Sequence, residues 1–74
     1  LLEFIGLSDM SGNEIYSGYL LSVNGDRENP IQVEYSEEEA SFYGYELNSG
    51  HSYYFGRSND VLEVIGNIYE QAVD

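Results

Sequence analysis

The chain has 74 residues, of which 14 are acidic and two are arginine, so its formal net charge is −12 at neutral pH. The absence of cysteine excludes disulfides and thiolate metal sites, and the 42% hydrophobic content argues against a disordered chain. No apolar run approaches the roughly 20 residues of a membrane helix, and two arginines cannot offset this charge against phosphates. We therefore expect one domain over residues 1–74 that neither enters a membrane nor binds nucleic acid directly.

Short apolar runs in the first half of the chain alternate with turn-forming residues, which is typical of β-strands. Asn24 and Gly25 give a strong hairpin signal, and we expect this loop to extend through Pro30. After it, Ile31, Val33 and Tyr35 alternate with polar residues, so these three side chains should share one face of a strand. The predicted strands of this half are residues 1–7, 14–16, 19–23 and 31–35.

The acidic run at residues 36–39 separates these strands from the second half of the chain. Ser36 and Glu39 have the spacing of a capping box, so this run is predicted to be a loop or a single helical turn. Beyond it, Tyr43, Tyr45 and Leu47 should share one strand face. The predicted strands here are residues 42–45 and 52–55, with a turn at residues 48–51.

The last segment, residues 61–73, fits two structures. Val61, Val64 and Ile68 fall at helical spacing, and Asp60 could cap such a helix. Gly66 and the many β-branched side chains favour a strand instead. The pattern alone does not separate the two alternatives.

Two blocks of the chain resemble a known family. Residues 3–9 (EFIGLSD) and 12–18 (GNEIYSG) resemble the "GLKDKNGKEIYEGD" block of the YopX family. Residues 63–70 (EVIGNIYE) resemble the closing "EVIGNIYEN" block of the same family. Two departures are evident: Tyr19 replaces the family's aspartate, and the usual "KFRAWD" opening is absent, as expected of a minimal member or of the C-terminal part of a longer one.

The resemblance carries expectations about fold and origin. It implies an all-β fold, either a small SH3-like barrel or a strongly bent antiparallel sheet with at most one short helix. It implies that residues 61–69 form a strand, and it implies a phage or prophage protein acting in the bacterial cytoplasm. It supplies no catalytic residues to transfer to this chain.

The sequence offers no convincing catalytic or metal-binding constellation. A nucleophile needs a base held beside it, and His51, the single histidine, lies among the small residues of a predicted turn, which makes it a poor candidate. Asp9 and Glu14 flank a turn, but Gly12 comes too early for a Ca²⁺-binding loop. We therefore predict a protein that is not an enzyme and that needs neither cofactor nor metal.

The acidic residues themselves are the candidate site. Several of them surround one predicted hairpin, together with tyrosines, which offer a large contact area at small entropic cost. The candidate partner-binding residues are Asp26, Glu28, Glu34, Glu37, Glu38, Glu39, Glu46, Tyr43, Tyr45 and Tyr54.

Three interpretations of this charge remain open at the level of sequence. The carboxylates could mimic nucleic acid and inhibit a basic host protein such as a defence nuclease, because duplex DNA also carries closely spaced negative charge. They could only keep the protein soluble. Alternatively, the domain could have a structural or assembly role and form a homodimer through an exposed strand edge.

Overall fold

Seven β-strands and no helix occur in the part of the chain that the computed structural model describes, which is residues 2–55 and 60–69. The predicted all-β class is therefore confirmed. The strands are β1 (Phe4–Ser8), β2 (Glu14–Tyr16), β3 (Tyr19–Val23), β4 (Asp26–Ser36), β5 (Ser41–Glu46), β6 (Ser52–Tyr53) and β7 (Leu62–Asn67).

The strands form two antiparallel sheets. β1 and β2 are a two-stranded hairpin, and the other strands form a five-stranded sheet in the order β6-β5-β4-β3-β7. Register shifts occur between Leu21 and Val23 opposite β4 and between Leu20 and Leu21 opposite β7. Such bulges bend a sheet and increase its twist. The sheet does not close into a barrel, so the bent-sheet form of the fold prediction is the one observed.

The turn between β3 and β4 is shorter than predicted. Asn24 and Gly25 both have positive φ, 54° and 80°, as the two-residue turn that joins twisted strands requires. Strand β4 then starts at once with Asp26, so the expectation of a loop extending through Pro30 was wrong. Pro30 is accommodated inside the strand, where its carbonyl accepts a hydrogen bond from the Leu47 N–H at 3.2 Å.

The core is small and lies between the two sheets. Ile31 and Val33 of the predicted common face are both buried, and Leu21 of β3 and Ile15 of β2 join them. Ile15 is fully buried, so the β1–β2 hairpin lies against the inner face of the larger sheet. Tyr35 continues the same alternation but is 45% exposed, because it extends past the end of this core.

The structure shows which alternative holds for the described part of residues 61–73. β7 is a strand paired with β3, so the helical alternative is wrong for Leu62–Asn67 and the strand implied by the family resemblance is confirmed there. Residues 70–73 lie outside the described residues. The capping hydrogen bond predicted at the acidic run is present, from the Glu39 N–H to Ser36 Oγ at 3.2 Å, but it closes a turn and not a helix.

Gly18 is hydrogen-bonded to two distant parts of the chain, strand β4 and the residues after β7. Its N–H donates to the Val33 carbonyl at 2.8 Å, and its carbonyl accepts from the Ile68 N–H at 3.0 Å. Its φ is +86°, and a Cβ placed on it would lie 2.6 Å from Tyr69 Cε2. The Tyr69 ring therefore packs directly on the backbone of Gly18, and only glycine fits both the conformation and the space.

Replacing Gly18 by alanine should lower the free energy of unfolding by about 2–4 kcal/mol, through left-handed strain and overpacking against Tyr69. Gly25→Ala is the matched control, because Gly25 has a similar φ of +80° but nothing within 4 Å of its Cβ position. The control should lose only about 1–2 kcal/mol. Urea unfolding followed by circular dichroism measures both, and equal losses would show that the Tyr69 contact does not hold.

Candidate acidic and tyrosine-rich surface

The β4–β5 hairpin brings part of the predicted site together. Glu34 is directly opposite Tyr43 in the register, and Gln32 is directly opposite Tyr45. Since directly paired residues project from the same face of a sheet, these four side chains share the outer face, away from Ile31 and Val33. The predicted common face is therefore confirmed for Tyr43 and Tyr45, whereas Leu47 lies in the turn after β5 and does not belong to the strand.

Three carboxylates follow one another at the end of this hairpin. Glu37, Glu38 and Glu39 are exposed in the turn between β4 and β5, which we call the acidic turn. The turn is closed by the hydrogen bond to Ser36 and by Ala40, whose φ is 53°. Consecutive acidic residues in so tight a turn cannot move far apart, so this is the highest local density of negative charge on the hairpin.

Tyrosines lie beside the acidic turn. Glu38, Glu39, Tyr43 and Tyr54 line one shallow groove of about 230 Å³. Tyr54 is 40% exposed, whereas its neighbour Tyr53 packs against the core, as successive residues of an extended segment do. The groove therefore combines carboxylates with aromatic surface.

The remaining predicted acidic residues lie at the opposite end of the same hairpin. Glu46 is paired with Ile31, and Asp26 Oδ2 accepts a hydrogen bond at 3.0 Å from the side chain of Asn29. The path along β4 from Glu28 to the acidic turn is roughly 30 Å at 3.3 Å per residue. Asp26, Glu28 and Glu46, which we call the distal group, are thus separate from the acidic turn. The ten predicted residues are close to one hairpin in sequence, but they do not lie on one surface.

Little positive charge accompanies these acids in the described residues. Arg27 Nη2 forms an ion pair with Glu63 Oε2 at 2.9 Å, between β4 and the edge strand β7. The other arginine, Arg57, lies outside the described residues. Near the acidic turn, the carboxylate of Glu34 instead accepts a hydrogen bond from the side-chain amide of Gln32.

Asp9, which the sequence suggested only as a possible metal ligand, has a structural role. Its buried carboxylate accepts from the N–H groups of Ser11 at 3.0 Å, Asn13 at 2.8 Å and Val64 at 3.0 Å, and from the side-chain amide of Asn13 at 3.3 Å. The turn composition at residues 8–13 is the signal that could have indicated this, because aspartate commonly binds the backbone N–H two residues ahead. The bond to Val64 is tertiary and has no local signal.

These hydrogen bonds perturb the acidity of Asp9. The N–H of Val64 contributes most to lowering its pKa below the ordinary value of 3.8, and the donors at Asn13 and Ser11 act in the same direction. Burial opposes them, since it disfavours the charged form. The net direction is downward, so the folded protein holds Asp9 as a carboxylate.

An aromatic row runs from the open end of the β1–β2 hairpin to β3. The rings of Phe4 and Tyr16 and those of Tyr16 and Tyr19 each have centroids 5.6 Å apart. Tyr19, which replaces the family's aspartate, is therefore in contact with the β1–β2 hairpin. The hydrogen bond from the Tyr16 hydroxyl to the Glu14 carboxylate, 2.8 Å long, raises the pKa of Tyr16 above its ordinary value of 10.0.

Other classes of site have little geometry to support them. His51 is exposed in the turn after β5, where its N–H donates to Ser49 Oγ at 3.3 Å. Within residues 2–55 and 60–69, no three histidine, aspartate or glutamate side chains lie close enough together to hold a metal ion. The same residues contain no helix long and apolar enough to cross a bilayer.

A family model described as YopX protein matches residues 1–73 of the chain. The chain belongs to the YopX family. No curated protein and no solved structure matches it. In this YopX chain the two blocks that carried the resemblance meet in space, because Asp9 of the first block binds Val64 of the closing block and Tyr69 packs on Gly18.

Asp9→Asn should lower the free energy of unfolding at pH 7 by about 2 kcal/mol, because an amide cannot accept from all of these donors and hydrogen bonds to charged groups are strong. The folded-state pKa is lowered, so this stabilisation is fully present above the ordinary pKa of 3.8 and is lost as the pH falls through the folded value. Urea unfolding across a pH series measures the difference between wild type and variant.

Glu28→Gln is the matched control for this charge change, since Glu28 is exposed and belongs to the distal group. Its effect should stay within about 0.5 kcal/mol. A gap between wild type and Asp9→Asn that stayed constant from pH 7 to pH 2 would contradict the assigned role of the carboxylate.

Proposed function

We propose that this YopX chain is a phage- or prophage-encoded binding protein, without catalytic activity, that presents its acidic turn to a basic protein in the bacterial cytoplasm. The observation that carries the proposal is the exposure of Glu37, Glu38 and Glu39 in one closed turn, next to the half-buried ring of Tyr43 and the exposed ring of Tyr54. Dense negative charge and aromatic contact area therefore occur together at this turn.

The charge supports recognition at long range. A body of formal charge −12 creates a field that accelerates encounter with a basic partner and that salt screens within about 8 Å at physiological ionic strength. The tyrosines act only at contact, where their rings add buried area at low entropic cost. Association rate should therefore depend on salt more strongly than dissociation rate does.

Nucleic-acid mimicry is the specific form of this proposal. Duplex DNA presents one charge per about 1.7 Å of its axis, and a nuclease or other nucleic-acid-binding protein has a groove that is complementary to such an array. In this chain the mimic surface would be the acidic turn with Glu34, because the distal group is too far along β4 to belong to the same array. The partner class is thus a basic nucleic-acid-binding protein of the host.

A homodimer formed through a strand edge has less support. On the outer edge of β7, the Val64 N–H donates to Asp9 at 3.0 Å and the Leu62 carbonyl accepts from Met10 at 2.8 Å. The other edge strand, β6, has only two residues. Short or covered edges are the usual protection against edge-to-edge pairing.

The test compares two triple variants that remove the same charge. Glu37→Gln, Glu38→Gln and Glu39→Gln neutralise the acidic turn, while Asp26→Asn, Glu28→Gln and Glu46→Gln neutralise the distal group. A partner is first captured from bacterial lysate with the wild-type protein and purified, and its Kd is then measured at 50 and 300 mM salt. The turn variant should weaken binding at least tenfold at low salt, and the distal variant less than threefold.

Two results would contradict the proposal, provided that circular dichroism shows both variants folded. Equal losses of affinity in the two variants would show that only the net charge matters and not the position of the acidic turn. A Kd that does not change with salt would show that charge is not the recognition element. Competition by duplex DNA for the captured partner tests nucleic-acid mimicry in particular, because a mimic and DNA would bind the same groove of the partner and exclude one another.

A further inference from the structure

A second groove lies on the other side of the acidic turn, and it has two aromatic walls. Its volume is about 400 Å³, and we call it the two-tyrosine groove after Tyr35 and Tyr69. Tyr35 is 45% exposed and Tyr69 is 47% exposed, so both rings offer surface to a ligand. Three acidic residues, Glu3, Glu34 and Glu37, also line it.

Both rings are held by the fold. Tyr69 packs on Gly18, at the floor of the groove, so closely that a Cβ there would lie 2.6 Å from the ring. The Tyr35 ring is edge-on to Phe42, its directly paired residue on β5, with centroids 5.0 Å apart. The walls are thus positioned before any ligand arrives, which lowers the entropic cost of binding.

The positions that carry the carboxylates are also fixed. The Ser17 N–H donates to the Glu3 carbonyl at 2.8 Å, and the Glu3 N–H donates to Ser17 Oγ at 3.1 Å. Glu34 is partly buried on β4 and accepts from the amide of Gln32, and Glu37 begins the acidic turn. The groove therefore has negative charge on several sides and, among its lining residues, no cation to neutralise it.

We propose that the two-tyrosine groove binds one arginine side chain of the basic partner, an inference that rests on the proposed function and specifies its contact. A planar guanidinium stacks on tyrosine faces and directs several N–H donors in its plane, which suits aromatic walls with carboxylates around them. A lysine ammonium is compact and strongly hydrated, so it uses the walls less well. A metal ion fits less well still, because these carboxylates do not converge as metal ligands do.

The test uses the isolated protein and small probes, so it does not depend on knowing the partner. N-acetyl-arginine amide is titrated into ¹⁵N-labelled protein, with N-acetyl-lysine amide and N-acetyl-citrulline amide as the equally charged and the isosteric neutral controls. Arginine should bind with a millimolar Kd and shift the amide signals of Ser17, Gly18, Glu34 and Tyr69. Lysine should bind at least threefold more weakly, and citrulline should cause no saturable shift.

Variants separate the groove from the general field. Tyr35→Ala and Glu37→Gln should each weaken arginine binding about fivefold. Tyr54→Ala and Glu38→Gln, which change an exposed tyrosine and an exposed acid outside this groove, should change it less than twofold. Shifts that are the same for arginine and lysine, or equal losses in all four variants, would overturn the proposal.

The outcomes also distinguish this inference from the proposed function. Arginine binding in the groove together with an acidic-turn variant that still binds the partner would retain the inference and reject the function. Loss of partner binding in the turn variant, with no preference for arginine over lysine in the titration, would reject the inference alone.

Discussion

The attachment of the β1–β2 hairpin to the edge of β7 is the contact on which the other features depend. β7 pairs with β3 on one side, and on its other side the carboxylate of Asp9 and the N–H of Met10 take the place of a neighbouring strand. A buried carboxylate is costly unless several donors surround it, and Asp9 has them in the turn before β2 and in β7. The hairpin is thereby held over the larger sheet, and Ile15 is placed in the core.

This attachment also builds the candidate site. The chain leaves β2 at Ser17 and Gly18, and these residues form one side of the two-tyrosine groove while Glu34 and Glu37 of the β4–β5 hairpin form the other. Among the described residues only four aliphatic side chains are fully buried, so the core alone supplies little stability, as is usual for a chain of this size. Loss of the Asp9 contacts would therefore disturb the groove as well as the fold.

The local elements of the fold could be predicted from the sequence, because each depends on near neighbours. Alternation identified the strand with Ile31 and Val33, and the Asn24 and Gly25 pair identified the tight hairpin. The length of β4 was missed because residues 26–30 are polar and include Pro30, so no apolar alternation marks them, yet they continue the strand from the two-residue turn. Periodicity alone could not decide between strand and helix in β7, whose pairing with β3 is set by residues about 40 positions away.

The site was predictable in composition but not in arrangement. The sequence indicates that acids and tyrosines surround the β4–β5 hairpin, whereas only the register shows that the distal group lies at the far end of β4. The two-tyrosine groove had no signal at all, since its walls come from β4 and from the residues after β7. Glu3 joins them because Ser17 holds its backbone. Non-local pairing of this kind is not encoded in any short window of sequence.

Charge and shape have different consequences for selectivity in this molecule. A net charge of −12 creates an electrostatic field that attracts any basic macromolecule and that salt screens. By itself this field increases the rate of encounter but does not select one partner over another. Choice requires groups whose position is fixed and whose interaction falls off within contact distance. The rings of Tyr35 and Tyr69 meet both conditions, since Phe42 and Gly18 hold them. Selectivity among basic partners would therefore come from these positioned aromatic rings. The surrounding carboxylates supply the attraction, and the rings make that attraction specific.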